Sequence, residues 1–279
     1  VGLWTPITIE LFGGTEGIKT RPNEDPPFLE IETPDSEDVG TKIRVRVDVD
    51  AEKSRTYVGY IKTGHVGRNF SEGKITLHAN GRKYEPRAQD LSNSLEIDRH
   101  LYLVIGAKML ELNRAIKQIN RVAAVEDKEF PGDRFDPSPR QLVFETNADH
   151  LPEMWFGYQG VDLLILATEE NAPFLNALHA SPERVKAIAQ WVRRGGRLIV
   201  PISPARQDIV ASILSSEAWQ PPIPVKPPRA GEDLRFERVP GLAAWGGQPL
   251  LSVGGMIPVA TLNPGNVAAG DWRVLLESS

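Results

Sequence analysis

"VKAIAQWVRRGGRLIVPIS", residues 185–203, decides the fold. Val185, Ile188, Ala189 and Val192 recur at helical spacing and make one apolar stripe. Ser181 followed by Pro182 predicts an N-cap and a first helical position, so the helix spans about 182–194. Gly195-Gly196 predicts a left-handed stop, and "RLIVPI" (197–202) a buried strand. A helix delivered straight into such a strand is half of a βαβ unit. Upstream, "LYLVIG" (101–106), "RQLVFET" (140–146) and "VDLLILA" (161–167) read as further strands, two of them continuously apolar. Between the first two, 107–123 has helical spacing, with Met109, Leu112, Ile116 and Ile119 on one face. The expectation is a mostly parallel sheet with helices on both faces. "LYLVIG", "VDLLILA" and "RLIVPI" should be neighbouring central strands joined by right-handed crossovers. Beyond it, 207–219 predicts one more helix, 219–233 a Pro-rich surface excursion, and "MIPVATLNPG" and "DWRVLLESS" late strands at an antiparallel edge.

Residues 1–100 have another rhythm. Stretches 7–14, 27–34, 41–50, 55–64, 73–86 and 93–99 alternate apolar and polar residues between turns rich in Gly, Pro, Asn and Asp. In "KIRVRVDVD" Ile43, Val45, Val47 and Val49 face one side, so one face meets a core and the other water. Asn80-Gly81 between short strands is a hairpin signal. Six such strands in this length predict an immunoglobulin-like β-sandwich over 1–99, ahead of an α/β domain over 100–279, with the boundary in "EIDRH".

Composition narrows the function. The net charge of −5 argues against a nucleic-acid partner, which needs a clustered basic surface. The densest basic group is Arg193-Arg194 with Arg197. With no Cys there are no disulfides, thiolate metal sites or cysteine nucleophiles, which fits an extracytoplasmic protein; a cytoplasmic one is the alternative. No apolar run reaches the roughly 18 residues of a membrane span. The chain opens Val1-Gly2-Leu3-Trp4 without an initiator Met and closes on "LLESS" just after a predicted strand. We therefore expect the natural protein to continue on both sides.

"LPEMWFGYQGVDLLILATEE" (151–170) and "ALHASPERVKAIAQWVRRGGRLIVPIS" (177–203) carry a resemblance. They resemble the class I glutamine amidotransferase-like superfamily, and more narrowly bacterial membrane-anchored proteins in which such a domain follows a β-sandwich. The resemblance implies a flavodoxin-like α/β fold, with Trp191 wedging helix on sheet, and membrane attachment only through segments outside this sequence. Active members use a Cys on a strand-to-helix elbow with a late His and Glu. This chain has no Cys, and its histidines are His65, His78, His100, His150 and His179, none of them late. The expected reading is a non-catalytic binding or interaction region with a protein or small-molecule partner and no cofactor or metal.

Two alternatives stay open. A hydrolase of unrecognised type would use the carboxyl edge of the sheet, where Thr168, Glu169 and Glu170 follow one strand and Ser203 another. "PISPA" is not a G-x-S-x-G elbow, so Ser203 reads as a turn residue, and the acidic pair as a solvated loop before a helix near Pro173. A small-ligand or carbohydrate sensor would need an aromatic-lined cleft, for which Trp155 and Tyr158 are candidates, although packing is the plainer role. "GAK" (106–108) lacks a dinucleotide fingerprint, "GGTEG" (13–17) reads as a loop, and the acidic runs 32–40 and 48–52 read as solvated turns rather than Ca²⁺ ligands.

Overall fold

The computed structural model describes residues 3–22, 24–34, 40–62, 74–85, 100–108, 112–118, 140–168, 172–202, 204–220, 222–223, 225–226, 233–235, 256–258 and 261–262. The amino-terminal strands are β1 (Trp4–Phe12), β2 (Phe28–Pro34), β3 (Gly40–Arg46), β4 (Ser54–Lys62), β5 (Lys74–Ala79) and β6 (Arg82–Tyr84). β1 pairs with β4, and the other four run in the order β3-β2-β5-β6, every pair antiparallel. The two sheets share one core: Ile9, Leu11 and Tyr57 from the first meet Leu29, Val45, Ile75 and Leu77 from the second, with Ile18, Val47 and Val49 alongside. Gly59 permits the close approach, because a Cβ there would lie 2.3 Å from Cδ1 of Ile31. Residues 40–50 alternate between exposed and inward-facing along their whole length, as the sequence predicts. Asn80 (φ 53°) and Gly81 (φ 68°) both sit in the left-handed region, the requirement of a type I′ hairpin turn. The predicted strand at 93–99 lies outside the described residues.

A parallel sheet follows, built from β7 (His100–Ile105), β8 (Arg140–Glu145), β9 (Leu163–Leu166) and β10 (Leu198–Ile199) in the order β10-β9-β7-β8. The chain is therefore a mixed fold, antiparallel sheets plus a parallel four-stranded sheet with helices. The period-2 pleat sends Leu103, Ile105, Leu164 and Leu166 to one face, against α2 (Ala172–His179), α3 (Pro182–Arg193) and α4 (Gln207–Leu214). Val104, Ile165, Ala167, Leu142 and Phe144 line the other, with Leu112 of α1 (112–118). Each fully buried Val, Leu or Ile here stabilises the fold by about 1.5–3 kcal/mol. Helix α3 buries Val185, Ile188, Ala189 and Trp191 and half-buries Val192, while Arg193 and Arg194 stay in water.

Three expectations need correcting. β7 and β9 are central, but β10 is the outer strand among the described residues, and Ile199 on it is 50% exposed. An edge strand has no neighbour to extend the cover over both its faces. Ser181 occupies the N-cap position without capping through its side chain: its Oγ donates to the Ala177 carbonyl and accepts from Arg184. Tyr158 takes the packing role that is its plainer reading, wholly buried in the core. Finally, the described late strands form ribbons of their own rather than an edge of the parallel sheet: Val225–Lys226 with Thr261–Leu262, and Asp233–Arg235 with Met256–Pro258. "DWRVLLESS" lies outside the described residues.

The antiparallel and parallel parts are joined through β4. The hydroxyl of Tyr60, 8% exposed, accepts from the backbone N–H groups of Glu153 (3.0 Å) and Met154 (3.1 Å). Its ring packs edge-on against Phe156 with centroids 4.9 Å apart, and Trp4 reaches the same Phe156 at 5.5 Å. Gly157 completes the seat: a Cβ there would lie 2.6 Å from Cβ of Pro152 and 2.8 Å from the Tyr60 ring. Burial pushes the Tyr60 phenol pKa up, and pushes that of Tyr158 up much further.

Candidate functional site: the two ends of the parallel sheet

At the carboxyl edge, Thr168 follows β9 and is completely buried, its hydroxyl donating to the Pro201 carbonyl beyond β10. It ties the ends of adjacent strands together, a use that takes it away from solvent and substrate. Glu169, Glu170 and Ser203, the other three residues expected at this edge, lie outside the described residues. Between β7 and β9, where the strand order reverses, the backbones abut. Gly106 has φ +102°, and a Cβ on it would lie 2.6 Å from the Ala167 carbonyl oxygen and 3.3 Å from the Phe174 ring. At this switch point the strand ends leave no room for a side chain at position 106.

The same edge holds a constellation that sequence reasoning missed. Glu145 ends β8, and the chain turns at Asn147, whose Oδ1 accepts from the backbone N–H of Asp149 (3.0 Å). The turn brings His150 back so that Nδ1 lies 3.1 Å from Glu145 Oε2 and Nε2 lies 3.1 Å from Asn147 Nδ2. With Oδ1 already engaged, Nδ2 faces the ring as a donor. Nε2 therefore accepts, and Nδ1 carries the proton given to Glu145. A carboxylate–imidazole pair is the stuff of general-base chemistry, but here the second ring nitrogen is already occupied. The signal was the short spacing in "ETNADH", overlooked because a catalytic His was sought late in the chain.

The amino edge is different. Across the strand order, Arg197 precedes β10, Asp162 precedes β9, His100 opens β7 and Arg140 opens β8. These four, with Trp155 and Arg194, line a cleft of about 730 Å³. Asp162 accepts from the Leu101 N–H (2.8 Å) and lies 3.2 Å from His100 Nδ1. The Arg194 guanidinium sits over the Trp155 ring at 4.0 Å. Trp155, one of the two aromatic candidates, does line a cleft.

A second cleft, about 590 Å³, runs along the junction and includes Arg46, Arg55, Asp149, Glu153 and Arg184. Arg184, with its side chain 13% exposed, is used structurally: it pairs with Asp149 (3.1 Å) and Glu153 (3.5 Å) and donates to the Leu151 and Asp149 carbonyls. In the acidic run 48–52, Lys19 pairs with both Asp48 and Asp50, and its hydrogen bond, joined by that from Lys53, holds the Asp50 carboxyl below its usual range. Lysines thus engage Oδ1 of Asp48 and both carboxylate oxygens of Asp50. Among the described residues no group of three His, Asp or Glu is placed to hold a metal ion, and no helix is long and apolar enough to cross a membrane.

Compared with protein-family models, with curated proteins and with solved structures, the chain gives no match. The family resemblance rests on the residues quoted above.

Proposed function

We propose that the chain is a non-catalytic binding module. In this reading an immunoglobulin-like β-sandwich over 1–99 carries a flavodoxin-like domain of glutamine amidotransferase-like ancestry over 100–279. The module would serve a membrane-anchored bacterial protein on its extracytoplasmic side. Supporting the fold reading, the described strands of the parallel sheet run second-first-third-fourth in chain order, as in flavodoxin-like sheets, and the antiparallel sheets share one core. The observation that carries the functional reading is Thr168: the one described member of the predicted carboxyl-edge set is buried, its hydroxyl spent on a backbone carbonyl. A hydroxyl nucleophile needs both access and an adjacent base.

The test is ammonia release from glutamine and hydrolysis of activated esters by the wild type and by Ser203→Ala and Glu169→Gln. We expect no turnover above buffer. Turnover that either substitution abolishes would overturn the reading. The hydrolase alternative has one observation in its favour, the Glu145–His150 pair. Turnover lost in both Glu145→Gln and His150→Ala would establish it.

A further inference from the structure

We propose that the amino-edge cleft binds a small molecule through a multiply charged oxyanion, the chemistry of a phosphoryl group. This rests on the binding-module reading and gives it a ligand class. The cleft lies at the end of the sheet opposite to the one open α/β folds ordinarily use. Arg140, Arg194 and Arg197 line it, and among the described lining residues the carboxylate is Asp162. That carboxylate is already engaged by the Leu101 N–H and by His100. Arg194 and Arg197 have no carboxylate partner among the described residues, unlike Lys19, Arg44 and Arg184, which pair with Asp50, Glu30 and Asp149. Arg194 and Arg197 thus bring two guanidinium groups, without a carboxylate partner among the described residues, into one concavity.

The geometry prepares the site. The Trp155 ring beneath the Arg194 guanidinium restrains that side chain, which reduces the rotamer entropy lost on binding an oxyanion through its N–H groups. The carboxyl end of α3 also faces the cleft, and bare carbonyls there would repel an anion. They are covered: Gly195 at φ +101° lets its N–H donate to Val192 and that of Gly196 donate to Trp191, so two of the last carbonyls are satisfied from within. Gly196 must lack a side chain, since a Cβ would lie 2.3 Å from the Trp191 indole. The volume, about 730 Å³, suits a small molecule rather than a macromolecule. Paired guanidinium forks favour phosphoryl oxygens over a single carboxylate or a halide.

The experiment titrates the chain with inorganic phosphate, pyrophosphate, citrate and acetate by calorimetry, in parallel with Trp fluorescence. We expect saturable one-site binding of pyrophosphate, tighter than phosphate, weaker for acetate, and falling as salt rises toward about 0.15 M. Arg194→Ala and Arg197→Ala should each weaken it by at least about tenfold, the scale of a lost charge-assisted hydrogen bond. Arg197→Lys should recover part of the loss, and Trp155→Phe should abolish most of the fluorescence change. Arg46→Ala, in the other cleft, should leave binding unaltered, and both arginines are exposed enough for their variants to fold. A citrate preference over pyrophosphate would overturn the phosphoryl assignment. No saturable binding, or binding indifferent to Arg194→Ala and Arg197→Ala, would overturn the site. The amidase and esterase assays on the same samples report separately: turnover defeats the non-catalytic reading whatever the titration shows, and a flat titration defeats the anion site whatever the assays show.

Discussion

Tyr60→Phe removes one oxygen atom and nothing else from the junction between the antiparallel and parallel parts. That oxygen accepts two backbone N–H groups, from Glu153 and Met154, on a side chain 8% exposed. A neutral hydrogen bond contributes about 0.5–1.5 kcal/mol net, so the pair sums to about 1–3 kcal/mol. Phe keeps the edge-on contact with Phe156, so packing should be unchanged. Urea denaturation followed by far-UV dichroism and by Trp emission should give a lower midpoint with the same slope. Gly157→Ala attacks the same seat from the other side, pressing a methyl into Pro152 and the Tyr60 ring, for about 1–3 kcal/mol of overpacking. The two sites touch, so the double variant should depart from additivity by more than about 0.5 kcal/mol. A Tyr60→Phe midpoint equal to wild type, or strict additivity with Gly157→Ala, would refute the view that this hydroxyl anchors the junction.

Further outcomes are expected. Gly196→Ala should cost about 1–3 kcal/mol and shift Trp emission, because its Cβ must displace the Trp191 indole from the core; a neutral melt would show that the turn relaxes instead. Arg184→Met should cost about 1–2 kcal/mol, since carbonyl acceptors lose a donor while Asp149 and Glu153, both exposed, rehydrate; chemical denaturation gives the number. Hydrogen bonds from Arg44, Lys19 and Lys83 hold the carboxyls of Glu30, Asp50 and Glu85 below their usual range. Their stabilisation is present above the unfolded carboxylate range near pH 4 and is lost as pH falls through the depressed values, so melting temperature should drop on that limb and Arg44→Ala should flatten it. The raised Tyr60 phenol works on the other limb: its stabilisation holds below about pH 10 and fades as pH rises toward its folded value, so Tyr60→Phe should lessen the alkaline loss and leave the part due to the buried Tyr158.

Local rules made much of the fold legible. The alternation in "KIRVRVDVD", the Asn80-Gly81 turn and the Gly195 stop each encode backbone geometry within a few residues, and each is found in place. The rest depends on what comes together across the chain. Ser181 reads as a capping hydroxyl until Arg184 claims it. The amino-edge cleft draws on His100, Arg140, Asp162 and Arg197, which lie tens of residues apart and share no motif; only the parallel order of four strands brings them into one row. Arg194 and Arg197 were visible as the densest basic group, but nothing local says that Trp155 lies beneath one of them. Tyr60 likewise sits in an alternating stretch whose spacing says nothing of Glu153 and Met154, 93 and 94 residues further on.

The Tyr60 tie also bears on the order of folding events. The β5–β6 hairpin closes over two residues, and elements of that kind form in about 1–10 μs. The bond from Glu153 to Tyr60 spans 93 residues, a loop whose closure entropy must be met before the contact returns anything. The junction is therefore a late event, made after both partners hold their shape. Substitutions in it should leave the refolding limb of a chevron nearly unmoved and speed unfolding instead. In kinetic terms the tie is a latch, governing how long the assembled chain persists rather than how fast it is reached.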